Sequence, residues 1–144
     1  MTLGIVMLCH TALDRAEQVA RHFAEAGCPI VIHVDRRVGR EDLAQFKMSL
    51  ADLPQVSFSR RFACEWGMWG LIQATQAAAT QMLALHADVR HVFLASGSCL
   101  PLRPVAELRA YLDERPRTDF IESVTTSDVD WTIGGLAQER FTLR

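Results

Sequence analysis

The sequence predicts an α/β fold: a mostly parallel, Rossmann-like sheet with helices on both faces. Three observations point there. Short apolar runs of strand length alternate with helix-length periodic stretches, in the order β-α-β-α-β-α-β-α-β. The clearest run, Gly4 to Cys9, is continuous rather than alternating, as suits a strand buried on both faces. Polar clusters follow the strands, where such sheets bind ligands.

The elements follow in order. After Cys9, Thr11 offers an N-cap with Asp14 at the third helical position. Leu13, Ala16, Val19, Ala20 and Phe23 then recur at helical spacing, and Gly27 suits the C′ position. Pro29 to Val34 reads as the second strand and leads into Asp35. A helix from about Glu41 to Leu53 has Leu43, Phe46 and Leu50 as its inner stripe, and Pro54 ends it. Val56 to Phe58 is a short third strand. Arg60 to Gly70 is irregular, and the longest helix spans about Leu71 to His86, rich in alanine. His91 to Ala95 is the fourth strand, followed by the turn Ser96-Gly97-Ser98. Pro104 opens a helix running to about Glu114. Thr118 to Val124 reads as a fifth strand, and Thr125 to Arg144 is polar and poorly patterned.

Composition narrows the function classes. The chain has 144 residues, the size of one ordinary domain. Hydrophobic residues make up 49% and charged residues 22%, a globular balance that argues against disorder. The net charge of -2 is no nucleic-acid footprint. No apolar run is long enough for a membrane span. The N-terminus lacks signal-peptide features, so a cytoplasmic location is expected. Lys47 is the only lysine; the arginine bias suits bidentate contacts to phosphate or carboxylate, or reflects a GC-rich genome. Cys9, Cys28, Cys64 and Cys99 show no C-x-x-C spacing, and buried free thiols are expected.

Several signatures are absent: G-x-G-x-x-G after the first strand, the P-loop, and the G-x-S-x-G elbow. Four features remain. Asp35, ending a buried strand, can accept from a ribose hydroxyl or a base N–H, or it can cap or pair with Arg36 or Arg37. Trp66 and Trp69 can each offer a stacking face or anchor the core. His10 is a base or ligand, or else a cap or core histidine. Ser96 to Cys99, where a metal-dependent glycosyltransferase would carry D-x-D, are poor ligands for a hard cation, so no metal site is expected.

Taken together, the motifs resemble the core-2/I-branching β-1,6-N-acetylglucosaminyltransferases and the related xylosyltransferases. The matching segments are Met7-Leu8-Cys9-His10, Ile32-His33-Val34-Asp35, Trp66-Gly67-Met68-Trp69-Gly70-Leu71-Ile72-Gln73-Ala74, Phe93 to Leu102, and Asp119-Phe120-Ile121-Glu122. The resemblance implies a GT-A-type fold and an inverting, metal-independent transfer of N-acetylglucosamine from UDP-GlcNAc to a sugar acceptor. It implies no cofactor beyond the UDP-sugar donor substrate. It places Leu8, Cys9, His10, Asp35 and Trp66 at the donor, and Glu122 and Arg140 at the acceptor. Residues 1–124 would form the nucleotide-sugar-binding half and 125–144 the start of an incomplete acceptor-side region. Cys99 replaces the usual Asp, and Gly70 a frequent Ser. The family's general base and pyrophosphate-neutralising residues lie beyond Arg144, so no catalytic residue is assigned and this piece alone is expected to be inactive. For the second role Arg36, Arg37, Arg60 and Arg61 are possible substitutes. A xylose donor, or a non-catalytic nucleotide- or protein-binding domain, are the alternative readings. Removing Asp35 is expected to leave folding nearly intact.

Overall fold

A strand with apolar side chains at successive positions must be covered on both faces, and that requirement sets the layers here. The computed structural model describes residues 2–65 and 67–121. Its elements are β1 (Thr2–Cys9), α1 (Leu13–Glu25), β2 (Ile30–Val34), α2 (Arg40–Ser49), β3 (Val56–Phe58), α3 (Trp69–Leu85), β4 (Val89–Ser96) and α4 (Val105–Asp113). The four strands pair in parallel in the order β3-β2-β1-β4. The fold class is therefore the α/β one expected.

The two-residue period of β1 divides its side chains between two cores. Ile5, Met7 and Cys9 join Ile30, Ile32 and Val34 of β2 on one face. There they meet Ala16, Val19, Ala20 and Phe23 of α1, Phe46 of α2, and Val105 and Leu112 of α4. Val6 and Val31 point the other way, onto Ala78 and Met82 of α3. Helices thus cover both faces. The α1 and α2 ends are tied by Arg21, which donates to Glu17 at 2.9 Å and to Asp52 at 2.8 and 3.0 Å.

Boundaries depart from the sequence reading where local geometry outweighs propensity. Thr11 is exposed and is not the cap. The chain turns sharply after β1, and Ala12 caps α1 from a left-handed conformation (φ 47°) with no side-chain cap bond. Helix α2 stops at Ser49, short of Pro54, because the chain tightens into i→i−3 bonds: Leu50 N–H to Lys47 C=O and Ala51 N–H to Met48 C=O. Leu50 is still buried in the core. Helix α3 begins at Trp69, two residues early, and β4 extends to Val89 and Ser96. Pro104 is the cap of α4 rather than its first residue. Gly27 does take the positive φ expected of it. The expected fifth strand is not formed over Thr118–Ile121, where Phe120 instead packs on Tyr111 and His91. Residues 122–124 of that strand lie outside the described residues, as does the whole of 125–144.

Gly97 closes the top of the sheet. Its N–H donates to Leu8 C=O at 3.0 Å, drawing the turn after β4 onto the end of β1. A Cβ there would lie 2.8 Å from Cys9 Cβ and 3.0 Å from Ala16 Cβ. Gly97→Ala is therefore predicted to destabilise the fold by about 1–3 kcal/mol, as overpacking of a close-packed site does. Urea denaturation checks this, and an unchanged midpoint would contradict it.

Candidate functional site

The site is built on the carboxyl ends of β1 and β2. These ends are held together by Asp35 N–H donating to Cys9 C=O at 2.9 Å. The next chain segment, 59–65, is laced onto the same place. Ser59 N–H donates to Ile32 C=O, and Arg36 N–H to Phe62 C=O, each at 2.9 Å. Phe62 N–H donates to His33 Nε2 at 2.9 Å, and the two rings stack. Arg61 donates to three carbonyls, Val34 at 3.2 Å and Asp35 and Val38 at 2.7 Å.

Asp35 is the charge at the centre. It is 1% exposed. Its Oδ1 accepts from Arg37 N–H at 2.8 Å and Arg37 Nε at 3.1 Å. Its Oδ2 accepts from Arg37 Nη2 at 3.0 Å and Cys64 N–H at 2.9 Å. Those four bonds fill the acceptor capacity of a carboxylate. Of the two readings of Asp35, the ion pair with Arg37 is the one the structure displays. Burial by itself would raise the carboxyl pKa. The bonds from the Arg37 side chain and from the Arg37 and Cys64 N–H groups outweigh it and bring the pKa to about 2.

The neighbouring groups are tuned as well. Burial lowers the pKa of His33; Asp35 opposes this and Arg61 reinforces it. The ring is neutral, and since Nε2 accepts from Phe62 its proton sits on Nδ1. Burial pushes the Cys9 thiol up to about 12, so it is no nucleophile at neutral pH. Cys9 and Cys28 are buried as expected, but Cys64 is half-buried and Cys99 is exposed, because each follows a strand end on a loop.

Around Asp35 lies a cavity of about 450 Å³, lined by Leu8, Cys9, His10, His33, Asp35, Arg37, Cys64, Glu65 and Leu71. Leu8, Cys9, His10 and Asp35, the expected donor residues, thus meet in one place. Trp66, Glu122 and Arg140 lie outside the described residues. Trp69 is 62% exposed at the start of α3, so it does not anchor the core. Cys64 and Glu65 belong to the polar stretch after β3, one of the post-strand segments expected to face a ligand, whereas His33 and Leu71 were not singled out for the site. His33 stands two residues before Asp35 in the strand, a period-2 signal that could have found it. Cys64 and Glu65 are brought in by the 59–65 loop, which carries no local pattern, and Leu71 stands in the first turn of α3. Two further cavities, about 670 Å³ beside β4 and α4 and about 590 Å³ between α1 and α2, are larger. Neither holds a buried charge at a strand end. Among the described residues no group of three or more His, Cys, Asp or Glu could hold a metal ion. No described helix is long and apolar enough to cross a membrane.

Residues 6–139 match the model of the core-2/I-branching enzymes. The chain belongs to the core-2/I-branching enzyme family. No curated protein matches it. A core-2/I-branching enzyme is a glycosyltransferase, so its partners are a sugar donor and an acceptor. In this family member the strand-end cavity stands where a parallel α/β sheet receives its ligand.

Two predictions follow from the Asp35 network. Removing a buried, four-bonded carboxylate strands its partners, so Asp35→Ala is predicted to destabilise folding by about 2–3 kcal/mol. This corrects the expectation that Asp35 could be removed at little cost. The depressed carboxyl pKa contributes stability that is complete above its ordinary value of 3.8 and is lost as pH falls towards about 2. Urea midpoints at pH 7, 4 and 2 should show that loss in the unaltered chain and a smaller loss in Asp35→Asn. Equal slopes would contradict the assignment. Separately, Cys99 should react with a thiol reagent in the native state long before Cys9 does. Peptide mapping after brief labelling checks the order, and early labelling of Cys9 would contradict it.

Proposed function

We propose that this chain binds the UDP portion of a UDP-sugar, UDP-N-acetylglucosamine, in the cavity at the ends of β1 and β2. It would do so as the donor side of an inverting, metal-independent transfer to a carbohydrate acceptor, in the cytoplasm. The observation that carries this reading is the convergence of Leu8, Cys9, His10 and Asp35 around one strand-end cavity, in a chain of the core-2/I-branching family. Backbone groups around Leu8 to His10 meet the nucleotide. Asp35 serves it by bracing Arg37 and the 59–65 loop. Trp66 takes the aromatic place near the nucleotide, and Glu122 and Arg140 receive the acceptor.

Chemistry limits what this part of the chain does. A departing UDP develops charge that preorganised donors must meet, and the attacking hydroxyl needs a base. Asp35 cannot be that base: its oxygens are filled and its carboxyl titrates at about 2. Cys9 cannot serve either, with its thiol at about 12. The residues after β4, Ser96 to Cys99, are poor ligands for a hard cation, which supports the metal-independent part of the reading.

Calorimetry with UDP tests the proposal. Binding should occur, with the same affinity to within about twofold in EDTA and in Mn²⁺. No binding, or binding that requires Mn²⁺, would overturn it.

A further inference from the structure

The sheet is open at one end. β4 has β1 on one side and, among the described residues, no strand on the other. Beside that free edge, between β4 and α4, runs the groove of about 670 Å³. Phe93, Leu94, Leu100, Leu102 and Tyr111 line it, and they range from 42% to 101% exposed. An unpaired strand edge flanked by apolar side chains is a surface that folded proteins cover.

Three observations say what covers it. The chain itself arrives there: Phe120 packs on His91 of β4 and on Tyr111 of α4, with ring centroids 6.0 and 5.6 Å apart. Ile121, the next residue, is exposed beside the groove's rim. Within the polar stretch that follows, one run alternates as a strand does: Val129-Asp130-Trp131-Thr132-Ile133, closed by Gly134-Gly135. A period of two puts Val129, Trp131 and Ile133 on one face, as suits a strand that covers a core on one side only. The reach suffices as well. Val129 is eight residues beyond Ile121, about 26 Å of extended chain, and β4 with its 8 residues is about as long.

We infer that residues 129–133 dock as an extended segment along the free edge of β4, with Val129, Trp131 and Ile133 covering the groove between β4 and α4. Trp131 supplies the largest apolar area, since a buried tryptophan contributes about 150–250 Å². The occupant is this chain's own segment rather than a second copy, because a tethered segment is present at about millimolar effective concentration. The inference stands apart from the nucleotide reading: the groove shares no lining residue with the cavity around Asp35.

Tryptophan fluorescence tests it. In the full chain carrying Trp66→Phe and Trp69→Phe, Trp131 is the only tryptophan. Acrylamide should quench it about threefold less efficiently than free tryptophan, as a ring seated among apolar side chains requires. Leu102→Asp and Tyr111→Asp, both at exposed groove positions, place a charge where the ring docks, and each should raise the quenching by about twofold. Quenching equal to that of free tryptophan would overturn the inference. Protection that neither groove substitution changes would seat Trp131 elsewhere and overturn it too. Protection that appears only as the protein is concentrated, together with a dimer in sedimentation equilibrium, would assign the groove to a second copy and overturn it. Should the substituted chains fail to fold, hydrogen exchange of the unaltered chain decides. The amides of 129–133 should exchange slowly, and exchange at the rate of an unstructured peptide would overturn the inference.

Discussion

The top of this sheet is organised by the need to satisfy one buried carboxylate. Asp35 stands at the end of β2, where the chain leaves the core, and its side chain is buried at the floor of the cavity. An unpaired charge there would cost several kcal/mol. The solution recruits three parts of the chain: the backbone of Arg37, the guanidinium of Arg37, and the N–H of Cys64. The first two set the turn after β2. The third brings in a loop from far along the sequence. The cavity is the space those three parts leave between them and the end of β1.

The same constraint explains the polar neighbours. Arg61 ties down carbonyls that the turn leaves without ladder partners. His33 is kept neutral by burial, so its Nε2 can accept from the loop at Phe62. Gly97 completes the arrangement from the other side, since only a residue without Cβ lets the β4 turn approach Cys9 and Ala16 so closely. Gly70 plays a similar part at the start of α3, where a Cβ would run into Ala63 C=O. That close approach gives a physical reason for glycine at a position where the resemblance expects a frequent serine.

What was legible in the sequence was the part governed by burial. Apolar runs located β1, β2 and β4, and the short, weakly signalled β3 (Val56-Ser57-Phe58) was found to the residue. Loop-mediated contacts were not legible. Nothing local to Cys64 or Glu65 says that their loop folds back onto Asp35, because the bonds that bring them there span about thirty residues. Helix starts were misread for a related reason: Thr11 is a good cap by type, but the sharp exit from β1 makes Ala12 the cap. Trp69 shows the limit of residue-type arguments, for a tryptophan that composition would place in the core stands exposed on α3. At Asp35, the ligand and ion-pair readings could not be separated until the position of Arg37 was known.

The account rests on one claim, that the cavity braced by Asp35 is where the nucleotide binds. Amide chemical-shift mapping of the folded chain during a UDP titration in EDTA tests it most directly. The account predicts shifts concentrated at residues 8–10, 33–37, 62–65 and 71. Shifts centred instead on the cavity beside β4 and α4, or on the one between α1 and α2, would contradict it.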